Sequence, residues 1–259
     1  MLITTWGIAL QAKGDLEAAL ESYKHALRFE PDYTLAHNNI GNVFLAQSNI
    51  VAAIEAYKQA IKINPDFAEA HNNMGNAQKA HGNLDAAIDS YKQAIKINPN
   101  FAESFYNIGI TLEDMGDLVA AIDSYKLAIK FKPNYADSYN NMGNALAENG
   151  DLGAAIESFK QALRIKPNFA EAYYNIGNAL RGVAFSKPNP EVQSIITSIL
   201  EYKTFVRPID ISLSAISLLK FEPSILKLFE KHSAGQLVQS LKEIISDLSQ
   251  LPLLLKFMS

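Results

Sequence analysis

Apolar and polar residues recur along this chain with two periods at once, one of a helical turn and one of 34 residues. Over residues 68 to 81, at about 100° per residue, His71, Met74, Gly75 and Gln78 fall on one side of a helix. Glu69, Asn73, Asn76 and Ala80 fall on the other, within a sector of roughly 60°. A Gly82-Asn83 turn and a second amphipathic stretch follow, closed by Pro99. The long period repeats this pattern: Pro31, Pro65, Pro99, Pro133 and Pro167 stand 34 residues apart, and so do Gly7, Gly41, Gly75, Gly109, Gly143 and Gly177. The pattern predicts two-helix hairpins over 1–33, 34–67, 68–101, 102–135 and 136–169, the first lacking the start of its opening helix. A lone first helix over 170–181 opens a sixth.

Each slot has a physical reason. Glycine in a helix interior costs about 1 kcal/mol relative to alanine, so its recurrence implies close approach of the partner helix, where Ala19, Ala53, Ala87, Ala121 and Ala155 supply matching small residues. Tyr23, Tyr57, Tyr91, Tyr125 and Phe159 are expected to fill the space between successive hairpins. Asp15, Asn49, Asn83, Asp117 and Asp151 each offer an oxygen to the free N–H groups of a new helix. Ser48 replaces the turn glycine once, the prolines end the second helices, and Tyr33, Phe67, Phe101, Tyr135 and Phe169 seat an aromatic at each joint.

In these small-residue, aromatic and proline slots, and in its period, the chain resembles the tetratricopeptide repeat (TPR) family over residues 1 to about 182. The resemblance implies an all-α, right-handed superhelical solenoid whose first helices line a concave groove. Past 182 the pattern stops: continuing it calls for a small residue, an aromatic and a proline at positions held by Asn189, Gln193 and Glu201. The stretch SKPNP (186–190) reads as a breaker loop, followed by a helix carrying Ile195, Ile196, Ile199 and Leu200 and by short helices over 211–220, 223–231 and 236–249. Residues 183–259 are therefore expected to form a C-terminal helical cap on the array, which as a solenoid needs its last face covered.

The polar stripe holds the binding chemistry. Asn39, Asn73, Asn107, Asn141 and Asn175 share one slot, and Asn42, Asn76, Asn144 and Asn178 lie one turn on, interrupted by Ile110. Asparagine is an indifferent helix former, so propensity does not select it. A carboxamide donates and accepts, and can grip the main chain of an extended peptide whatever its side chains. With helices about 8–10 Å apart and a strand advancing about 3.3 Å per residue, one amide per repeat meets roughly every third residue. The ladder resembles that of the repeat region of protein O-GlcNAc transferases, which implies a hold on a substrate backbone. The alternative is that these side chains bridge adjacent first helices. Glu69, Glu103, Asp137 and Glu171, with Asp114 and Glu148 nearby, make the groove acidic and favour a neutral-to-basic guest. First-turn acids also complement a helix dipole.

Composition narrows the rest. The chain has 259 residues, a net charge of −4 and no cysteine. The charge disfavours nucleic acid, and the missing thiols exclude disulfides and fit a reducing, cytoplasmic setting. No apolar run is long enough to span a membrane. Lys58, Lys92, Lys126 and Lys160 each follow an acid by three and read as solvated helix pairs. His37 and His71 read as satisfied core imidazoles, and His25, His81 and His232 lack ligand-spaced partners. No catalytic, metal or cofactor site is expected, and no enzyme activity in this chain. The start reads as a repeat cut in mid-helix, with Trp6 in the slot of Met74, and both ends suggest a piece of a longer protein. The leading expectation is a protein-interaction scaffold. The second is the substrate-recruiting half of a protein-modifying transferase, O-GlcNAc transferase-like or methyltransferase. Self-association is a third.

Overall fold

A computed structural model describes residues 2–181 continuously, together with 183, 184, 186, 190, 192, 193 and 196. Among the described residues, eleven helices follow one another as first and second members of the repeat unit. They are α1 (Leu2–Ala12), α2 (Leu16–Phe29), α3 (Thr34–Ala46), α4 (Ile50–Ile63), α5 (Ala68–Ala80), α6 (Leu84–Ile97), α7 (Ala102–Asp114), α8 (Leu118–Phe131), α9 (Ala136–Glu148), α10 (Leu152–Ile165) and α11 (Ala170–Ala179). Among the described residues there is no strand. Contacts divide the chain into two bodies, Met1–Asn149 and Gly150–Ser259. The helices expected over 211–220, 223–231 and 236–249, and Ile195, Ile199 and Leu200, lie outside the described residues.

Local chemistry sets the hairpin ends. Asp15, Asn49 and Asp117 accept the backbone N–H three residues on, at 3.1, 3.3 and 3.1 Å, and Asp151 does so at 3.0 Å. Asn83 occupies the same position with the same backbone angles, but its side chain makes no capping bond. The turn before each cap needs a left-handed residue. Gly82 supplies φ +86°, and Ser48 is forced to φ +60°, a conformation that costs a side-chain-bearing residue about 1 kcal/mol.

In the first body, α1, α3, α5 and α7 each pack on the second helix of their own hairpin, and α3, α5, α7 and α9 each pack on that of the preceding one. Consecutive first helices also run side by side (α1, α3, α5, α7, α9), which makes them the inner wall. The recurring glycines are explained by an aromatic ring rather than by the partner helix's alanine. A Cβ on Gly75 would meet Cε1, Cδ1 and Cζ of Tyr91 at 2.5, 2.7 and 2.9 Å, and Gly41 and Gly109 are covered alike by Tyr57 and Tyr125. These tyrosines are fully buried. Tyr91 also packs with Ile108 of the next hairpin, so one side chain closes its own hairpin and joins it to its successor.

Candidate peptide-binding groove

The inner wall carries two rows of amides, and the structure gives them different work. In the ladder row, Asn39 is buried and Asn73, Asn107, Asn141 and, in the second body, Asn175 are half-buried. Asn73 Nδ2 donates to Asn38 Oδ1 of the preceding repeat at 3.1 Å, and Asn107 Nδ2 donates to Asn72 Oδ1 at 3.0 Å. Within repeats, Asn38 Nδ2 reaches Asn39 Oδ1 at 3.4 Å and Asn72 Nδ2 reaches Asn73 Oδ1 at 3.5 Å, both at the long limit. Read in order, donors run Asn107→Asn72→Asn73→Asn38→Asn39, a directional chain across three repeats. Ser104 Oγ adds a second donor to Asn72 Oδ1 at 2.9 Å. The amide orientations follow from this network, since O and N are otherwise interchangeable in an asparagine.

The chain changes at the fourth repeat, where Tyr106 holds the slot of Asn72. Asn141 Nδ2 donates to the Tyr106 hydroxyl at 3.1 Å, and Asn140 Nδ2 reaches Asn141 Oδ1 at 3.3 Å. The ladder thus bridges adjacent first helices, as the alternative sequence reading has it. Asn38, Asn73 and Asn141 each spend one N–H and one lone pair in this network, and Asn72 donates once and accepts twice.

The second row is bound differently. Asn42 and Asn76 are half-buried, and each accepts the hydroxyl of its hairpin's buried tyrosine, Tyr57 at 2.7 Å and Tyr91 at 2.9 Å. Their Nδ2 groups meet no acceptor among the described residues. Where an isoleucine stands instead, the tyrosine turns elsewhere. With Ile8 in the slot, Tyr23 donates to Gln11 at 3.1 Å; with Ile110, Tyr125 donates to Glu113 at 2.6 Å. Burial pushes the Tyr57 and Tyr91 hydroxyls well up, so they act only as neutral donors at physiological pH. Asn144 is half-buried; in the second body Asn178 is exposed and accepts from Arg181 Nη2 at 3.3 Å.

Among the acids, Glu69, Asp114, Asp137 and Glu148 are exposed in the first body and Glu171 in the second. Asp114 and Glu103 each carry a lysine. Lys79 lies 2.9 Å from Asp114, and Lys132 2.7 Å from Glu103 while sitting 4.4 Å over the Tyr135 ring. Burial pulls the Glu103 carboxyl upward, but hydrogen bonding to Lys132 and its charge leave it lowered. Glu113 is shifted the other way: burial raises it, the Tyr125 hydrogen bond opposes, and Glu148 and Asp114 add to the rise.

Sequence reasoning passed over Asn38, Asn72, Tyr106 and Glu113 as site residues. The doublets Asn38-Asn39, Asn72-Asn73 and Asn140-Asn141 were the available signal, because consecutive amides can bond to each other and then across to the next helix. His37 and His71 each bond a carbonyl, Pro31 O and Pro65 O at 2.9 Å, but His71 Nδ1 is buried without a partner, so that imidazole is only half satisfied. Of the four lysine pairs expected, Lys126–Asp123 and Lys160–Glu157 form, at 3.0 and 2.6 Å. Glu55 bonds Gln59 instead, at 2.9 Å.

The geometry has clear relatives. Models described as "TPR repeat" match residues 7–48, 41–82, 114–150 and 143–181, and models described as "Tetratricopeptide repeat" match 68–101 and 90–123. A search of curated proteins returns no match. Among solved structures, MamA is 28% identical, with a TM-score of 0.56 over 64% of this chain and 96% of its own. YrrB, a TPR protein with an unusual peptide-binding site, is 22% identical, with a TM-score of 0.53 over 66% of this chain and 89% of its own. PilF of Pseudomonas aeruginosa is 15% identical, with a TM-score of 0.64 over 89% of this chain and 96% of its own. The last two likenesses speak to the fold alone. The family matches run without a gap from residue 7 to residue 181, and on that ground the chain belongs to the tetratricopeptide repeat family, an all-α repeat family of protein-interaction scaffolds.

Proposed function

We propose that the inner wall of first helices docks an extended segment of a partner protein, and that the second amide row does the gripping. The observation that carries this reading is the state of Asn42 and Asn76. A buried tyrosine hydroxyl fixes each amide through its oxygen, leaving an N–H₂ group with no acceptor among the described residues. A held donor on a half-buried wall suits a main-chain carbonyl, which every peptide offers whatever its sequence. The ladder row supports the groove from behind, by tying consecutive first helices into one surface. The exposed acids Glu69, Asp137 and Glu148 favour a neutral-to-basic segment.

The test uses the full chain and an array of fluorescein-labelled nine-residue peptides, read by fluorescence polarisation. Asn42→Asp with Asn76→Asp keeps the acceptor for each tyrosine but removes the donor. Binding of uncharged peptides is expected to weaken in that double variant, by about tenfold for two lost donors at roughly 0.5–1.5 kcal/mol each. Unchanged binding of those peptides would remove the second row from the mechanism. We assign residues 1–182 to the array and 183–259 to its helical cap; the buried, helical Val192 and Ile196 support that division. A cytoplasmic setting fits a chain without cysteine. In a longer protein the same groove would serve as the recruiting arm of a transferase, and expressing the whole gene product with a groove-binding peptide as substrate would separate that role from simple scaffolding.

A further inference from the structure

The fourth repeat breaks the polar stripe. Along α7 the wall reads Tyr106, Ile110, then Glu113 and Asp114, one turn apart on one stripe, where α5 has Asn72, Asn76, Lys79 and Ala80. Tyr106 lies 4.8 Å from the Tyr135 ring and 6.0 Å from the Tyr125 ring, so it is held as part of an aromatic cluster. Its hydroxyl is fixed by Asn141. Ile110 packs on the Ile122/Tyr125/Ala145 core beside Met142 and Leu146 and is itself only half-buried. The next turn is polar and negative. Glu113 is pinned by Tyr125, and the charges of Asp114 and Glu148 act on it. The charge of Lys79 also acts on Glu113, in the opposite sense, but its ammonium already sits on Asp114 at 2.9 Å.

We infer that this step is a side-chain subsite taking a lysine or arginine of the docked segment. The aliphatic stem would lie over Ile110 and the edge of Tyr106, and the cationic head would reach Glu113, Asp114 and Glu148. The match is one of length and charge. One helical turn, about 5.4 Å, separates Ile110 from the carboxylates, which is the reach of a four-carbon stem. Asp114 already holds the Lys79 ammonium, so Glu113 and Glu148 leave an excess of negative charge that a guest cation offsets. No other repeat of the first body combines an isoleucine with a following acid in these slots: Ile8 is followed by Gln11 and Ala12. The subsite therefore fixes the register of the guest as well as its charge.

This inference rests on the groove reading above, and the experiment keeps the two apart. Labelled nine-residue Ser/Ala peptides carrying one central Lys, Arg, norleucine, Ala or Glu are titrated against the full chain, and norleucine is expected to bind more tightly than Ala. Lys and Arg peptides are expected to bind about fivefold more tightly than norleucine, the scale of a partly exposed ion pair, with Glu weakest. Asp114→Asn with Glu148→Gln should reduce the Lys-over-norleucine preference to within about twofold and leave norleucine binding in place. Ile110→Asn should abolish the preference of norleucine over alanine. If peptides bind but both variants keep the wild-type preferences, the subsite is overturned and the groove stands. If no peptide of any kind binds the wild-type chain, the groove reading itself fails and takes the subsite with it. Circular dichroism of each variant confirms that the repeats remain folded.

Discussion

Alanine in place of Gly75 sets two well-known effects against each other. Helix propensity alone favours the substitution by about 1 kcal/mol, because Gly75 is in the interior of α5. Packing opposes it. The new methyl would lie 2.5 Å from Cε1 of Tyr91, against a comfortable carbon–carbon separation of about 3.5 Å, so ring or helix must retreat by about 1 Å. The ring has little freedom to do so: it is fully buried, its hydroxyl is tied to Asn76 at 2.9 Å, and its far side packs on Ile108 of the next hairpin. Overpacking of this kind costs about 1–3 kcal/mol, and the upper half of that range applies to a clash with a rigid, fully buried ring. After subtracting the propensity gain, Gly75→Ala should destabilise the array by about 1–2 kcal/mol. The measurement is a urea titration of the full chain followed by circular dichroism. Native-state hydrogen exchange over α5 to α7 localises the loss, since repeat arrays need not unfold in one step. A variant as stable as the parent, or more so, would refute the ring-on-glycine account. The same clash predicts that Gly75→Ala with Tyr91→Leu loses less than the sum of the two single changes.

Other substitutions probe single bonds and charges. Asn72→Ala should cost about 2 kcal/mol by chemical denaturation, because it strands the donors of Asn107 and Ser104 in a buried setting. Tyr57→Phe should cost about 1 kcal/mol or less, since Asn42 is half-buried and its oxygen can turn to water; the fifth repeat already carries Phe159 in that slot. Glu113→Gln should stabilise the protein at neutral pH. The Glu113 carboxyl is raised in the folded state, so folding favours its protonated form; that contribution is present below the ordinary glutamate range and lost as pH rises through the shifted value. The advantage of Gln over Glu should accordingly appear at pH 7 and vanish below about pH 4, measured as paired denaturation midpoints. Asp15→Ala should loosen the start of α2 by about 1 kcal/mol, seen as faster amide exchange in its first turn.

Much of this was legible from residue types and spacing. The hairpin boundaries follow from Gly and Pro, whose backbone constraints act locally and read directly from sequence. The partner of each recurring glycine was harder to name. Alanine on the second helix and tyrosine one turn on both lie in reach, and only a side-chain direction decides that the ring covers the glycine. Asn83 shows the same limit on a smaller scale: its type and position fit a cap, yet its rotamer makes no bond. The ladder was legible as a row of amides but not as a network. Whether Asn73 faces a guest or Asn38 depends on where the preceding first helix lies relative to it, which no single-repeat argument contains. The fourth repeat was legible only as a departure, Ile110 for asparagine, and its consequence, the swing of Tyr125 to Glu113, needed three dimensions.

That departure bears on how the two rows should be expected to vary. A ladder residue is tied on both sides, as Asn73 is to Asn38 and Asn72, so changing it disturbs two repeats at once. A second-row residue is tied only to its own hairpin's tyrosine, and where an acceptor stands one turn on, as Gln11 and Glu113 do, that tyrosine uses it instead. The second row can therefore change from amide to aliphatic without breaking the array. Asn76→Ile combined with Lys79→Glu tests this by copying the fourth repeat onto the third. The hydroxyl of Tyr91 should pass from Asn76 to the new carboxylate, stability should fall by less than about 1 kcal/mol, and a second lysine preference should appear in the peptide titration. A large loss of stability without that preference would mean that the second row is as structural as the first, and that the inner wall has no residues left over for a guest.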